Sequence, residues 1–222
     1  MTKTLRLPTS LAAILLLTCS AVYAAGGSSI DSTAETATPE QQANEHYNEG
    51  LVNRDHAWKL QKKAANSELP EEKRAKLQKK MRNAYERAIA EFTAAITLHP
   101  EHHQAFGSLG YVYRQTGDYA KALAAYGEAL ALKPDYAEAV EYRAEAYLGL
   151  NRIDDAKASY ETLAQLNAKL AGELLHAMHA WVEQRRADPA GINVGALDAF
   201  ERWVEDRGEG KVASTLRKSG SW

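Results

Sequence analysis

The sequence predicts an all-α fold, an α-solenoid of about three helical hairpins with C-terminal capping helices. Three observations carry that expectation. Landmark residues recur at a spacing of 34, with Pro100 standing 34 residues before Pro134, and a period of that length marks stacked helical units. Small and large apolar residues return every three or four positions, the spacing of one helix face. Alanine is abundant, prolines number six and β-branched runs are few. The 222 residues, 45% hydrophobic and 25% charged, suit one soluble globular domain plus tails.

Residues 1–24 form a separate object. Lys3 and Arg6 precede an apolar run from Leu11 to Leu17, and small residues follow, ending Val22-Tyr23-Ala24-Ala25. These are the three parts of a secretory signal peptide, with cleavage expected after Ala24 and a periplasmic or secreted location. The apolar run is too short to span a membrane. Cys19, after Leu16-Leu17-Thr18, faintly resembles a lipobox, so a lipid anchor on Cys19 is the alternative, although Thr18 fits that pattern poorly. Cleavage after Ala24 leaves no cysteine, which excludes disulfides and thiolate catalysis. It also leaves 25 basic against 29 acidic residues, no basic excess of the kind that nucleic acid binding calls for. Residues 25–40 are small, polar and unperiodic, and predict a flexible linker. Helix resumes at Thr38-Pro39-Glu40, a capping sequence with proline in the first turn.

The first hairpin, residues 41–100, is predicted to be long. Gly50 stands where Gly110 stands in the second hairpin. Gly50 to Ala88 spans 38 residues, however, whereas Gly110 to Ala122 spans 12. The extra 26 residues are centred on a breaker, Asn66-Ser67-Glu68-Leu69-Pro70. Two helices lengthened by about 13 residues, or roughly 20 Å each, would accommodate them. The tip would lie near Pro70, with Trp58, Leu60, Ala64, Leu77 and Met81 along the inner seam. Between His56 and Arg82 nine Lys/Arg face three Glu, a local charge of +6. Lys59, Lys62, Lys63, Lys73, Arg74, Lys76, Lys79 and Lys80 are therefore candidates for contact with an anionic surface such as a membrane. A solvated helical face is the plainer reading of the same charges.

The second hairpin, residues 103–134, is the most regular. Helices are expected over about Ala105–Thr116 and Tyr119–Ala131, with a turn at Gly117-Asp118. Ala122, Ala125, Tyr126 and Ala129 share a face. Gly110 and Ala122 are small where two helices approach, and Phe106, Tyr113 and Tyr126 fill the surrounding space. Pro134 ends the second helix. Upstream, Ala88, Phe92, Ala95 and Pro100 stand in the same frame. Downstream, Tyr147, Ala156 and Tyr160 do so, within a third hairpin at 137–167. There Arg143, Ala144, Leu163 and Ala168 depart from the pattern, as a terminal unit does.

Phe106, Leu109-Gly110, Tyr113, Ala122, Tyr126, Ala129 and Pro134 in one 34-residue frame resemble the tetratricopeptide repeat family, in the manner of an exported bacterial member. The resemblance implies a non-catalytic scaffold that binds a protein or peptide segment in a concave groove lined by the first helix of each repeat. By position it implies Tyr47, Leu51 and Arg54 in repeat one, and Gln104, Gly107, Tyr111 and Arg114 in repeat two. In repeat three it implies Glu138, Glu141, Glu145 and Leu148. The Lys/Asn arrangement with which some members clamp a C-terminal carboxylate is absent. The spacing 138, 141, 145 puts three carboxylates on one helix face, either solvated or offset by a cationic ligand. A partner segment of basic and apolar character is expected.

Leu170, Leu174, Met178 and Trp181 predict an amphipathic helix over about Ala168–Arg186, broken at Asp188-Pro189-Ala190-Gly191. Leu197, Phe200, Trp203 and Val204 predict a second apolar stripe. Residues 168–207 thus read as capping helices and 208–222 as a mobile tail. No catalytic residues are assigned, since no phosphate loop or nucleophile motif appears. His99, His102 and His103 cluster around Pro100, and His176 and His179 stand three apart, but no cysteine or carboxylate completes a metal signature. No cofactor is expected, and a metal-dependent activity is the remaining alternative.

Overall fold

The structure, a computed structural model, describes residues 37–189 and 191–219. The predicted leader, Cys19 and most of the predicted linker lie outside the described residues. Eight helices follow in order, α1 (Pro39–Ala64), α2 (Glu71–Leu98), α3 (His103–Gln115), α4 (Tyr119–Leu132), α5 (Ala137–Gly149), α6 (Ile153–Leu166), α7 (Ala168–Ala187) and α8 (Val194–Ser219). Consecutive helices pack as antiparallel hairpins, and each hairpin stacks on the next, giving an all-α solenoid. No described helix is long and apolar enough to cross a membrane.

Local chemistry sets the boundaries. Thr38 caps α1 in a capping box with Gln41, which pairs two otherwise orphaned backbone donors. His102 and Asp118 cap α3 and α4 through side-chain acceptors. Helix α2 stops at Leu98 and α4 at Leu132, each just short of the expected proline. Gly117 turns the second hairpin with φ +82°, a conformation that costs glycine little. Asn151, 34 residues later, takes the same left-handed conformation at φ 56°. Asn167 ends α6 and caps α7 where the frame would place the closing proline next door.

The first hairpin is long as expected. Helices α1 and α2 have 26 and 28 residues, against 13 and 14 for α3 and α4. Its tip lies between Ala64 and Glu71, where Arg74 binds the carbonyls of Ser67 and Leu69 and pairs with Glu71. The seam contains Ala57, Leu60 and Ala64. Trp58 is the exception to the expected seam. It is 43% exposed, with the Lys62 ammonium 3.7 Å from its ring centre, because position 58 lies one residue round the helix from buried Ala57.

The repeat frame is visible in ring packing. A Cβ on Gly110 would stand 2.7 Å from the Tyr126 ring, and one on Gly50 would stand 2.5 Å from the Phe92 ring. The smallness of Gly110 thus admits a neighbouring aromatic ring. In the third hairpin Ala144 carries the Cβ that Gly110 lacks, and Tyr160 instead packs edge-on against Trp203 of α8 at 5.3 Å. The cap is continuous with that core, where Leu174, Met178, Trp181, Leu197, Phe200 and Val204 join Val140 and Leu163. Helix α8 runs on to Ser219, past the residue 207 boundary expected for the cap.

Candidate functional site

The first helices of three consecutive hairpins line a cavity of ≈480 Å³. Helix α1 supplies Tyr47, Arg54, Asp55, Trp58 and Lys59, α3 supplies Gly107, Ser108 and Tyr111, and α5 supplies Glu138, Ala139 and Tyr142. In each helix these positions fall three, four or seven apart, so each set forms one face. Tyr136 enters from the turn before α5. Gly107 makes room for it, because a Cβ there would stand 2.8 Å from the Tyr136 ring.

Aromatic surface dominates the floor. Tyr111 meets Tyr142 edge-on at 5.5 Å, and Tyr47 lies 4.6 Å from the His102 ring. Burial, then the neighbouring Tyr47, pushes the Tyr136 hydroxyl up to about 12. Burial likewise raises Tyr111 and Tyr142. These phenols therefore stay neutral near pH 7, able both to donate and to accept.

The walls carry opposite charges. Arg54 is paired with Asp55 at 2.8 Å and lies 5.7 Å from the Tyr111 ring centre. Lys59 on α1 and Glu138 on α5 have no ion pair among the described residues. The α1 wall is thus net cationic and the α5 wall net anionic.

The three carboxylates of α5 have separate fates. Glu138 is exposed at the cavity. Glu145 binds Arg114 of α3 at 2.5 Å, and the guanidinium lies 5.4 and 5.2 Å from the Tyr111 and Tyr142 ring centres. Burial pushes Glu145 up and Arg114 opposes that shift. At this separation the pair stays ionised. Glu141 is 7% exposed. Burial first, then Glu145 and Glu173, raises its carboxyl to about 7 against the pull of Arg114. One protein cation therefore answers one of the three acids.

Of the residues expected in the groove, the structure brings Tyr47, Arg54, Gly107, Tyr111 and Glu138 together in this cavity. Arg114, Glu145 and Leu148 line a second cavity of ≈440 Å³, closed on the far side by Trp181 and its α7 neighbours. Leu51 packs against the core under α1 and α2, and Gln104 is exposed outside both cavities. Asp55, Trp58, Tyr136 and Tyr142 were not expected there. The first two repeat the face of Arg54 one residue and one turn further on, and Tyr142 repeats that of Tyr111 within its own helix. Tyr136 lies in a turn, where no periodicity points to it.

On the hairpin, Lys59, Lys62, Lys63, Lys73, Lys79 and Lys80 are exposed. Lys76 pairs with Glu72, and Arg74 with Glu71. The histidines have structural partners. His102 caps α3, His103 meets Tyr136 edge-on, and His46 pairs with Glu91 at 2.7 Å. Among the described residues no group of three or more His, Cys, Asp or Glu could hold a metal ion.

Stacked helical hairpins whose first helices line a groove define a helical-repeat protein. Tetratricopeptide repeat models match residues 73–137 and 113–182, and the chain belongs to the tetratricopeptide repeat family. Among curated proteins nothing matches it. Similar solved structures include the second tetratricopeptide repeat domain of human RPAP3 in complex with an HSP70 peptide. It is 20% identical over 63% of this chain and 96% of that one, with a TM-score of 0.48. The Arabidopsis OM64 tetratricopeptide repeat domain is 14% identical over 58% and 93%, with a TM-score of 0.42. The first such domain of Spaghetti (RPAP3), bound to an HSP90 peptide, is 20% identical over 60% and 94%, with a TM-score of 0.43.

Proposed function

We propose that this protein is a non-catalytic interaction scaffold that binds a segment of a protein partner in the groove between α1, α3 and α5. The observation that carries the reading is the ≈480 Å³ cavity shared by three successive repeats, floored by tyrosines and rimmed by charge. Amphipathic rings give contact area at low entropic cost, since each has few torsions to fix. The scaffold acts in the cell envelope of a bacterium, exported by the 1–24 leader. The pattern of Lys3, Arg6, the Leu11–Leu17 run and Ala24-Ala25 supports that address. A photo-crosslinking amino acid at Tyr111 tests the groove in living cells. Tyr111 should yield a discrete protein adduct, and the same group at exposed Glu128 of α4 should not. Equal labelling from both positions, or none from Tyr111, removes the reading.

The exposed lysines favour a second reading, in which the hairpin of α1 and α2 docks on an anionic membrane surface. Six of the eight basic residues named for that role carry no acidic partner among the described residues. The two readings are compatible, because most of those lysines lie beyond the groove.

A further inference from the structure

We propose that the occupant of the groove is an extended peptide segment with one acidic and one basic residue about six positions apart and an aromatic or bulky apolar side chain between them. This rests on the groove being a segment-binding site, and adds the chemistry of the segment.

The charge pattern comes from the walls. Lys59 and Glu138 stand on α1 and α5, on either side of α3, and neither has an ion pair among the described residues. Arg54 cannot set the pattern, since Asp55 neutralises it. A uniformly acidic segment would meet Glu138 and a uniformly basic one Lys59, each at a like-charge penalty. A segment acidic at the α1 side and basic at the α5 side satisfies both. Neighbouring helix axes lie about 8–10 Å apart, so α1 and α5 stand roughly 16–20 Å apart. At about 3.3 Å per extended residue, that separation is five or six residues.

The floor supplies the rest. Between the walls lie the rings of Tyr47, Tyr111, Tyr136 and Tyr142, with Trp58 at the cationic edge. Such a surface rewards an aromatic or branched side chain. The Tyr126 hydroxyl is buried behind the floor, whereas those four open to the cavity and have no hydrogen-bond partner among the described residues. An extended segment brings unpaired backbone N–H and C=O groups, which neutral phenols can serve in either role. Gly107 keeps the floor in place, because any side chain there would displace Tyr136.

Fluorescence anisotropy with the full chain and labelled ten-residue peptides tests the proposal. Three peptides carry a central Phe and differ in the residues on either side, being Asp and Arg, two Asp, or two Arg. The Asp and Arg peptide should bind at least tenfold more tightly than the others. Lys59→Glu should move the preference to the two-Arg peptide, and Glu138→Lys to the two-Asp peptide. Both side chains are exposed, and circular dichroism confirms that each variant is folded. Equal affinities for the three peptides, or a preference that neither substitution moves, overturns the proposal. Tight binding of the two-Asp peptide alone, unchanged by Lys59→Glu, would assign it to the hairpin lysines and also overturn the proposal. If no peptide binds while Tyr111 still crosslinks a partner, the bipolar chemistry fails and the groove stands. If Tyr111 crosslinks nothing, the groove itself fails.

Discussion

At the scale of single residues, Glu141 couples the fold to pH. Its carboxyl, raised from 4.5 to about 7, faces Glu138 and Glu145 of its own helix, Glu173 of α7 and Arg114 of α3. The folded chain therefore keeps a proton that the unfolded chain loses between about pH 4.5 and 7. The stability tied to that proton is fully present below pH 4.5 and falls as pH rises to 7. Glu141→Gln should be more stable than the parent at pH 8 by on the order of 1–3 kcal/mol, and close to it at pH 4.5, in urea titrations. An equal difference at both pH values would contradict this origin. Glycines give an independent test of the repeat packing. Gly110→Ala drives a Cβ into the Tyr126 ring and should cost about 1–2 kcal/mol, overpacking outweighing the gain in helix propensity. Gly127→Ala, in α4 with open space around it, should stabilise by about 0.5–1 kcal/mol. Opposite signs in thermal melts support the packing, and equal signs contradict it.

At the scale of elements, the hairpin of α1 and α2 was legible because chain length must be accommodated somewhere. A known spacing from Gly110 to Ala122 turns the surplus after Gly50 into helix length, and a breaker at Pro70 locates the tip. Trp58 was not legible, because Ala57 and Trp58 are both apolar neighbours on a helix and periodicity alone does not choose which one faces α2. The α5 acids were legible as a face, but Arg114 is 31 residues from Glu145, so the pairing depends on how two repeats stack. Tyr136 sits in a turn, and only the absence of a side chain at Gly107 brings it into the groove. The hairpin's charge gives a prediction of its own. Each lysine near an anionic surface contributes about 1 kcal/mol at moderate salt. Neutralising Lys62, Lys63, Lys79 and Lys80 to Gln should reduce co-sedimentation with phosphatidylglycerol-containing vesicles about 100-fold or more. Retention that is insensitive both to these changes and to salt would remove the hairpin as a docking surface.

At the scale of the whole molecule, the repeats provide a rigid frame and its departures provide the chemistry. Phe106 to Pro134 is the regular middle, and many of its landmarks (Gly110, Ala122, Tyr126, Ala129) are buried. The groove opens on the inner helices to either side, where α1 brings cationic and α5 anionic character to one aromatic floor. The hairpin lengthens the cationic wall, and the α7–α8 cap closes the opposite end over Leu163 and Trp181. A crosslinking scan across the inner and outer helices tests the central claim most directly. Photoreactive residues placed in turn at Tyr47, Tyr111 and Tyr142 should capture one and the same partner in cells, and those at Glu128 and Glu161 on the outer helices should capture none. Capture by the outer positions, with the three tyrosine positions silent, would contradict a groove-bound partner.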